Sequence, residues 1–343
     1  MFKRFIAILI SISTIFMFIS CNKDSKQEVL SRTELFMGTA IKISLYEGGT
    51  DEILDKAFTR VREIENLVSI NKEGTELDKL NENAGIKPVK LSEDSLNIIS
   101  KGLEYSALAD GGYDISVGPL VKLWSIGLPE ARVPEKSEID STLNLINYRD
   151  VKLDLDNKEA YLTKKGMILD LGSIAKGYAA DEITKILQEE GIKKAIIDLG
   201  GNIYALGKKS DENDWKIGVQ NPFSDRGDAI ASLKIADKSV VTTGVYERFI
   251  EKDGEKYHHV LNPKTGYPYE TDIAGVTIIA DKSIDADALS TLVFTKGIKE
   301  GLKFIDSLEN VDAVFITNDK KVYKTSGLKD NFEIINSDFK LTS

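Results

Sequence analysis

Four stretches of this 343-residue chain hold residue types that could do chemistry. The first is Leu169-Asp-Leu-Gly-Ser-Ile-Ala-Lys-Gly-Tyr-Ala-Ala-Asp181. Met167 to Leu169 read as an apolar strand, Gly172 as a turn and Ser173 as a helix cap. Ile174, Ala175, Tyr178, Ile183 and Ile186 then recur at helical spacing. A glycine turn into a capped helix start is an anion cradle, because unpaired backbone N–H groups point outward there. Lys176 in the first turn opposes the helix dipole, which a structural role alone explains poorly; an ordinary βα turn with a surface lysine is the equal alternative for this stretch taken by itself.

The second stretch is Asp285-Ala-Asp-Ala-Leu-Ser-Thr291. On a helix Asp287 and Thr291 share a face, and a carboxylate with a hydroxyl is a hard-oxygen pair suited to magnesium or calcium. Two oxygens are too few, so a further ligand such as a backbone carbonyl is needed. The plainer reading is a helix capped by Asp285, with Thr291 bonding back into it. The third stretch holds the chain's two histidines, His258 and His259. On a strand their side chains face opposite ways, so at most one serves a given site, where a neutral imidazole could act as a base. The fourth, Asp110-Gly-Gly-Tyr-Asp-Ile-Ser-Val-Gly-Pro-Leu120, sets an aromatic ring and a carboxylate in a glycine-rich loop.

The composition narrows the class. Hydrophobic residues make up 42% of the chain and the net charge is −10 with signs interspersed, so a folded domain is expected and a nucleic-acid surface is not. Met-Phe-Lys-Arg followed by an apolar run from Phe5 to Ile19 reads as a signal peptide over residues 1–20. Phe18-Ile-Ser-Cys21 resembles a bacterial lipobox, in which the only cysteine, Cys21, is lipidated. A mature chain with no free thiol has no disulfide, cysteine nucleophile or thiolate metal site. Residues 21–32 read as a flexible tether and 33–343 as a single domain.

The elements that must position the four stretches read as follows. Strand patterns lie at Thr33–Tyr46, Lys194–Tyr204, Trp215–Val219, Ile230–Ile235, Val240–Thr243, Tyr246–Ile250 and Gly275–Ile279. Helical patterns lie at Asp51–Val68, Ser92–Ala109 and Asp285–Phe294, and Tyr148–Leu171 reads as a hairpin turning near Asp156-Asn157. Without a regular βαβ rhythm, these predict an α+β fold with a mixed, largely antiparallel sheet flanked by helices.

Ser173-Ile-Ala-Lys176 followed by Lys264-Thr-Gly266 raises a penicillin-binding-type serine acyl enzyme. The intervening Ser-x-Asn is absent: Ser210-Asp-Glu-Asn213 is out of register.

Taken in order, Met37-Gly-Thr, Gly112-Tyr-Asp-Ile-Ser-Val-Gly-Pro-Leu-Val121, Asp170-Leu-Gly-Ser-Ile-Ala-Lys-Gly-Tyr178, Asp198-Leu-Gly-Gly-Asn202, Thr243-Gly-Val-Tyr-Glu-Arg248, His259-Val-Leu-Asn-Pro-Lys-Thr-Gly266 and Ala286-Asp-Ala-Leu-Ser-Thr291 resemble the ApbE family, FAD:protein FMN transferases. The resemblance spans nearly the whole mature chain. It implies a magnesium-dependent lipoprotein on the outer, periplasm-facing side of the cytoplasmic membrane. Such an enzyme splits FAD, passes FMN to a threonine or serine hydroxyl of a redox-pump subunit of the NQR or Rnf type, and releases AMP. It implies Asp287, Thr291 and the Ser173 carbonyl as metal ligands. Met37, Gly112, Tyr113, Asp114, Asp170, Lys176 and Leu261 match FAD-contacting positions, and His259 matches the residue thought to activate or position the acceptor hydroxyl. Where many members carry Ser-x-Tyr, this chain has Ser69-Ile-Asn71. Asparagine cannot stack on a ring, so weaker FAD retention and hydrolysis of FAD to FMN and AMP are expected. A flavin-binding lipoprotein without turnover is the alternative of another class.

Overall fold

The computed structural model describes residues 29–342, so the signal segment, Cys21 and most of the expected tether lie outside it. The central sheet has nine strands whose spatial order is their chain order. They are Leu30–Phe36 (β1), Thr39–Leu45 (β2), Ala195–Leu199 (β3), Asn202–Leu206 (β4), Lys238–Gly244 (β5), Ile273–Ala280 (β6), Asp312–Thr317 (β7), Lys321–Lys324 (β8) and Lys340–Leu341 (β9). Every pairing is antiparallel except β8 with β9. The α+β expectation therefore holds. The tether boundary does not: Leu30, Ser31 and Arg32 are already paired in β1.

Eight α-helices surround the sheet among the described residues. They are Asp51–Val68 (α1), Glu76–Glu82 (α2), Glu93–Leu108 (α3), Gly118–Trp124 (α4), Lys136–Leu143 (α5), Ala175–Glu189 (α6), Ser283–Leu292 (α7) and Gly297–Asp306 (α8). Long amphipathic helices such as α1 and α3, capped by Thr50 and Ser92, lie where periodicity and caps place them. The shorter α2, α4 and α5 escaped the pattern, since two turns carry too few repeats to register.

All eight residues of β6 are buried, because both faces of the sheet are covered. Val276 and Ile278 join the main core with α6 and α7, while Ile279 joins the core beneath a second, three-stranded sheet (Trp215–Gln220, Ala229–Ile235, Phe332–Ile334). A third cluster joins Leu120 and Trp124 of α4, Ile139 of α5 and Leu261. Against it pack Ile250 and Tyr257 of a separate hairpin, Phe249–Lys252 with Glu255–His258.

Three local expectations are corrected. Met167–Leu169 form no strand; only an isolated bridge, Ile168 to Val117, remains there. Tyr246 to Arg248 lie in a turn between β5 and the separate hairpin, so the expected strand is confined to Phe249–Lys252. Ser173 is not the cap of α6: Ile174 holds that place and makes no side-chain cap bond. The hydroxyl of Ser173 points elsewhere.

What seats α6 on α7 is a reciprocal exchange of carboxylates. Asp181 of α6 accepts the N–H groups of Ser283 (2.7 Å) and Ile284 (3.0 Å) at the start of α7. Asp287 of α7 accepts the N–H of Gly177 (2.8 Å) in the first turn of α6. The helices approach so closely that a Cβ on Gly177 would lie 2.4 Å from the Ser283 carbonyl oxygen. Gly177→Ala should therefore cost at least about 1–3 kcal/mol of stability by overpacking, read as a lowered denaturation midpoint. An unchanged midpoint would refute this account of the helix contact.

Candidate functional site

At one end of the central sheet two tight hairpins stand together. Met37 (φ 53°) and Gly38 (φ 72°) turn β1 into β2, and Gly200 (φ 67°) and Gly201 (φ 98°) turn β3 into β4. Two central residues at positive φ favour the twist of paired strands, but methionine adopts that region rarely, and such outliers cluster at functional sites. A Cβ on Gly200 would come within 2.0 Å of Thr39 Oγ1, so only glycine lets the two turns touch. The Met37 N–H donates to Glu65 Oε1 at 2.6 Å, and the other oxygen of Glu65 pairs with Lys72. Glu65 thereby ties the loop that carries exposed Asn71 to the Met37 turn. Asn71 itself is held only locally, its N–H donating to Ser69 Oγ at 3.3 Å.

The Leu169–Asp181 segment runs beside the loop that holds Tyr113. The Asp170 N–H donates to the Ile115 carbonyl at 2.8 Å, and the Ser173 hydroxyl donates to the Tyr113 hydroxyl oxygen at 2.9 Å. Burial pushes the Tyr113 phenol up, so it stays protonated. Asp170 Oδ1 accepts the Gly172 N–H at 2.7 Å. Burial raises its carboxyl above the usual range, against that N–H and the charges of Lys176 and Arg248.

The first turn of α6 carries N–H groups without a helical acceptor, and that of Gly177 donates to Asp287 Oδ2 at 2.8 Å. Ser173 precedes the Ile174 cap, so its carbonyl lies outside the helical ladder, and Asp287 is 3% exposed. Lys176 Nζ donates to the Gly172 carbonyl at 3.2 Å and stands 3.8 Å from Asp287 Oδ1. Thr291 follows Asp287 by one turn of α7. These donors are all hard oxygens, and they fit a small divalent cation; a side-chain cluster of three or more His, Cys, Asp or Glu is absent among the described residues. Asp285 does not cap α7, the job Asp181 performs. It accepts the Tyr105 hydroxyl at 2.7 Å and pairs with Lys101 at 3.1 Å, fixing α7 against α3.

His259 sits where the separate hairpin ends. Its N–H donates to the Arg248 carbonyl at 3.1 Å, and its Nδ1 lies 3.2 Å from that same oxygen, which selects the tautomer with the proton on Nδ1 and a free Nε2. His258 turns the other way, its Nε2 against the Tyr269 carbonyl at 2.9 Å. The Tyr269 hydroxyl donates to the Gly112 carbonyl at 2.8 Å, which anchors the start of the Tyr113 loop.

Two residues expected to contact ligand also hold the fold together. Asp114 is buried and both its oxygens are engaged, one by the Ser116 N–H and hydroxyl, the other by the Tyr148 N–H at 2.9 Å. It pins the loop. Leu261 is packed into the α4–α5 cluster and acts as a wall. The Ser173/Lys176 acyl-enzyme arrangement is not formed: Ser173 bonds Tyr113, Lys176 bonds Gly172, and Gly266 lies in a turn at φ 79° with its carbonyl taken by Trp124 Nε1. Sequence reading missed Glu65, Asp181 and Tyr269, which carry no motif of their own. Arg248 stood at the end of a quoted block without a role.

The ApbE family model matches residues 37–315. The chain is 35% identical over 318 residues to an FAD:protein FMN transferase of Klebsiella pneumoniae, covering 92% of this chain and 98% of that protein. It is 33% identical over 339 residues to that of Treponema pallidum, covering 94% of each. The crystal structure of the ApbE protein from Thermotoga maritima aligns with a TM-score of 0.80 at 29% identity, covering 88% of this chain and 98% of that one.

Burial lowers the His259 pKa from 6.5 to about 4, opposed by the Arg248 carbonyl and assisted by the charges of Arg248 and Lys176. The imidazole is therefore neutral throughout the physiological range. Its folded pKa lies below the unfolded value, so the unfolded chain binds more protons between those two pH values. Stability from this group is full above pH 6.5 and falls as pH drops toward 4. A proton NMR titration should find the His259 ring signal, assigned by its loss in His259→Asn, moving near pH 4; a midpoint near 6.5 would refute the assignment.

Proposed function

The chain belongs to the ApbE family, and from that premise we propose that it is an FAD:protein FMN transferase dependent on a divalent cation, magnesium by the hardness of its donors. The observation that carries this reading is the bond from the Gly177 N–H to Asp287. It brings a buried carboxylate of α7 to the start of α6, with the Lys176 ammonium 3.8 Å from its Oδ1. A site for pyrophosphate needs opposite charge and fixed geometry more than a covalent nucleophile, and these residues offer both.

Asp287, Thr291 and the Ser173 carbonyl would hold the cation. When bound it supplies charge neutralisation for the pyrophosphate. Lys176 binds a phosphate oxygen, and the Met37 and Gly112–Tyr113 loops bound the space for the rest of FAD. The acceptor hydroxyl oxygen bonds to the flavin-side phosphorus as the bond from that phosphorus to the bridging oxygen breaks. The hydroxyl proton passes to the free Nε2 of neutral His259, and AMP leaves with the bridging oxygen. Water in place of the hydroxyl gives FMN and AMP, and exposed Asn71, unable to stack on a ring, favours that outcome.

Lipidation at Cys21 and placement on the outer face of the cytoplasmic membrane follow from the basic start, apolar run and lipobox-like Phe18–Cys21. The acceptor is then a threonine or serine of an exported or membrane-bound redox subunit of the NQR or Rnf type.

Incubation of protein lacking residues 1–20 with FAD and magnesium should release AMP and FMN in equal amounts. Chelation should abolish release, and Asp287→Asn should slow it by about 100-fold or more. FAD recovered intact and bound would replace the transferase by a flavin-storing lipoprotein. A second experiment concerns Asn71. Asn71→Tyr should tighten FAD retention, measured by flavin fluorescence, and slow its hydrolysis; unchanged affinity and turnover would remove Asn71 from the flavin site.

A further inference from the structure

Seven arginines lie among the described residues, and six of them have a local partner. Arg32, Arg60, Arg132, Arg149 and Arg226 pair with carboxylates, and Arg62 lies over the Phe36 ring at 5.4 Å. Arg248 alone has neither a carboxylate nor a ring. A guanidinium offers five N–H donors in a fixed fork and keeps its charge, so it suits a phosphate that the free protein lacks.

The fold lays this side chain across the site. A Cβ on Gly127, just past α4, would lie 3.0 Å from Arg248 Cδ, and one on Gly38 would lie 3.6 Å from Nη2. Both glycines have positive φ, 92° and 72°; a Cβ at Gly127 would crowd the arginine, whereas one at Gly38 would only touch it. Arg248 therefore runs from the end of α4 to the Met37-Gly38 turn. Its carbonyl is the group that orients His259, and its charge is felt at both His259 and Asp170.

We propose that Arg248 binds the non-bridging oxygens of the flavin-side phosphate, while Lys176 serves the AMP side. The inference rests on the FAD-cleaving reading above. The acceptor hydroxyl must meet His259 and attack the flavin-side phosphorus, so the arginine whose carbonyl holds His259 is assigned to that phosphate. Lys176, bonded to the Gly172 carbonyl and 3.8 Å from Asp287, is assigned to the leaving group. Arg248 thus keeps its partner when AMP departs, and FMN phosphate remains held until the acceptor ester is complete.

The test compares equilibrium binding of FMN, riboflavin and AMP, in the presence of magnesium, by the wild type and Arg248→Met. Loss of a charged, forked contact should weaken FMN binding by about tenfold or more, with riboflavin and AMP unaltered. Arg248→Lys should recover part of the loss, because charge returns without the fork. Gly127→Ala, which crowds Cδ from below, should show the same selective loss in smaller measure. FMN affinity unchanged in Arg248→Met overturns the proposal, and loss of AMP affinity in place of FMN overturns the side assignment. Equal weakening of riboflavin and FMN would mark a structural role and overturn it too. AMP release by the wild type is read separately. Its failure would remove the transferase reading, whereas the contrast between FMN and riboflavin reports on Arg248 alone.

Discussion

The exchange of carboxylates between α6 and α7 is the constraint on which the site depends. Each helix begins with unsatisfied N–H groups that must find acceptors if they are buried. Asp181 supplies them for α7, and burial holds its pKa up at about 6 in spite of those two bonds. Asp287 reciprocates for α6 through Gly177. The second half of the exchange has a chemical consequence that the first lacks. By taking the Gly177 N–H, Asp287 occupies part of the anion cradle. A helix start that would have received a bare phosphate becomes a set of oxygen donors, with Lys176 as the remaining positive charge.

The rest of the molecule brings other loops to that place. The two hairpins belong to neighbouring strand pairs of one sheet, so Met37-Gly38 and Gly200-Gly201 arrive side by side although the helices α1 to α6 all lie in the chain between β2 and β3. β5 pairs between β4 and β6 and then leaves the sheet through Tyr246 to Arg248, so the stretch that carries Arg248 starts from a fixed strand. The Tyr113 loop is pinned from inside by Asp114 and from outside by Tyr269. Loops that carry function on a rigid scaffold need such pins, because their own backbone bonds are few.

How far the sequence was legible follows from the range of each interaction. Strand alternation, long amphipathic helices and glycine-paired turns are local, and they lie where the pattern places them: α1 begins and ends where periodicity says, and Lys194–Tyr204 splits at Gly200-Gly201. Helical spacing and an adverse dipole position single out Asp287, Thr291 and Lys176 in the sequence, and the fold brings Lys176 to 3.8 Å from Asp287. Ser173 was misread as a cap because its nearest partner is Tyr113, 60 residues away. Glu65, Asp181 and Tyr269 act over comparable separations, and a carboxylate that caps a distant helix leaves no local signature. Asp114 adds a role that the motif did not announce, since its carboxylate builds the loop in which it stands.

Charge balance links the parts. Without a bound cation, Asp170 and Asp287 stand against Lys176 and Arg248, and the site has little net attraction for a doubly charged pyrophosphate. On the proposed reading a divalent ion converts that balance to a positive one only when it is present, which makes binding of FAD and metal mutually dependent. Burial and the same two cations keep His259 uncharged, as the base of the proposed reaction must be. A site left permanently positive would gain phosphate affinity but would hold its FMN and AMP products as firmly as its substrate. On the proposed reading, a carboxylate of the fold that neutralises the lysine until the metal binds avoids that, and the exchange across Gly177 puts the carboxylate there.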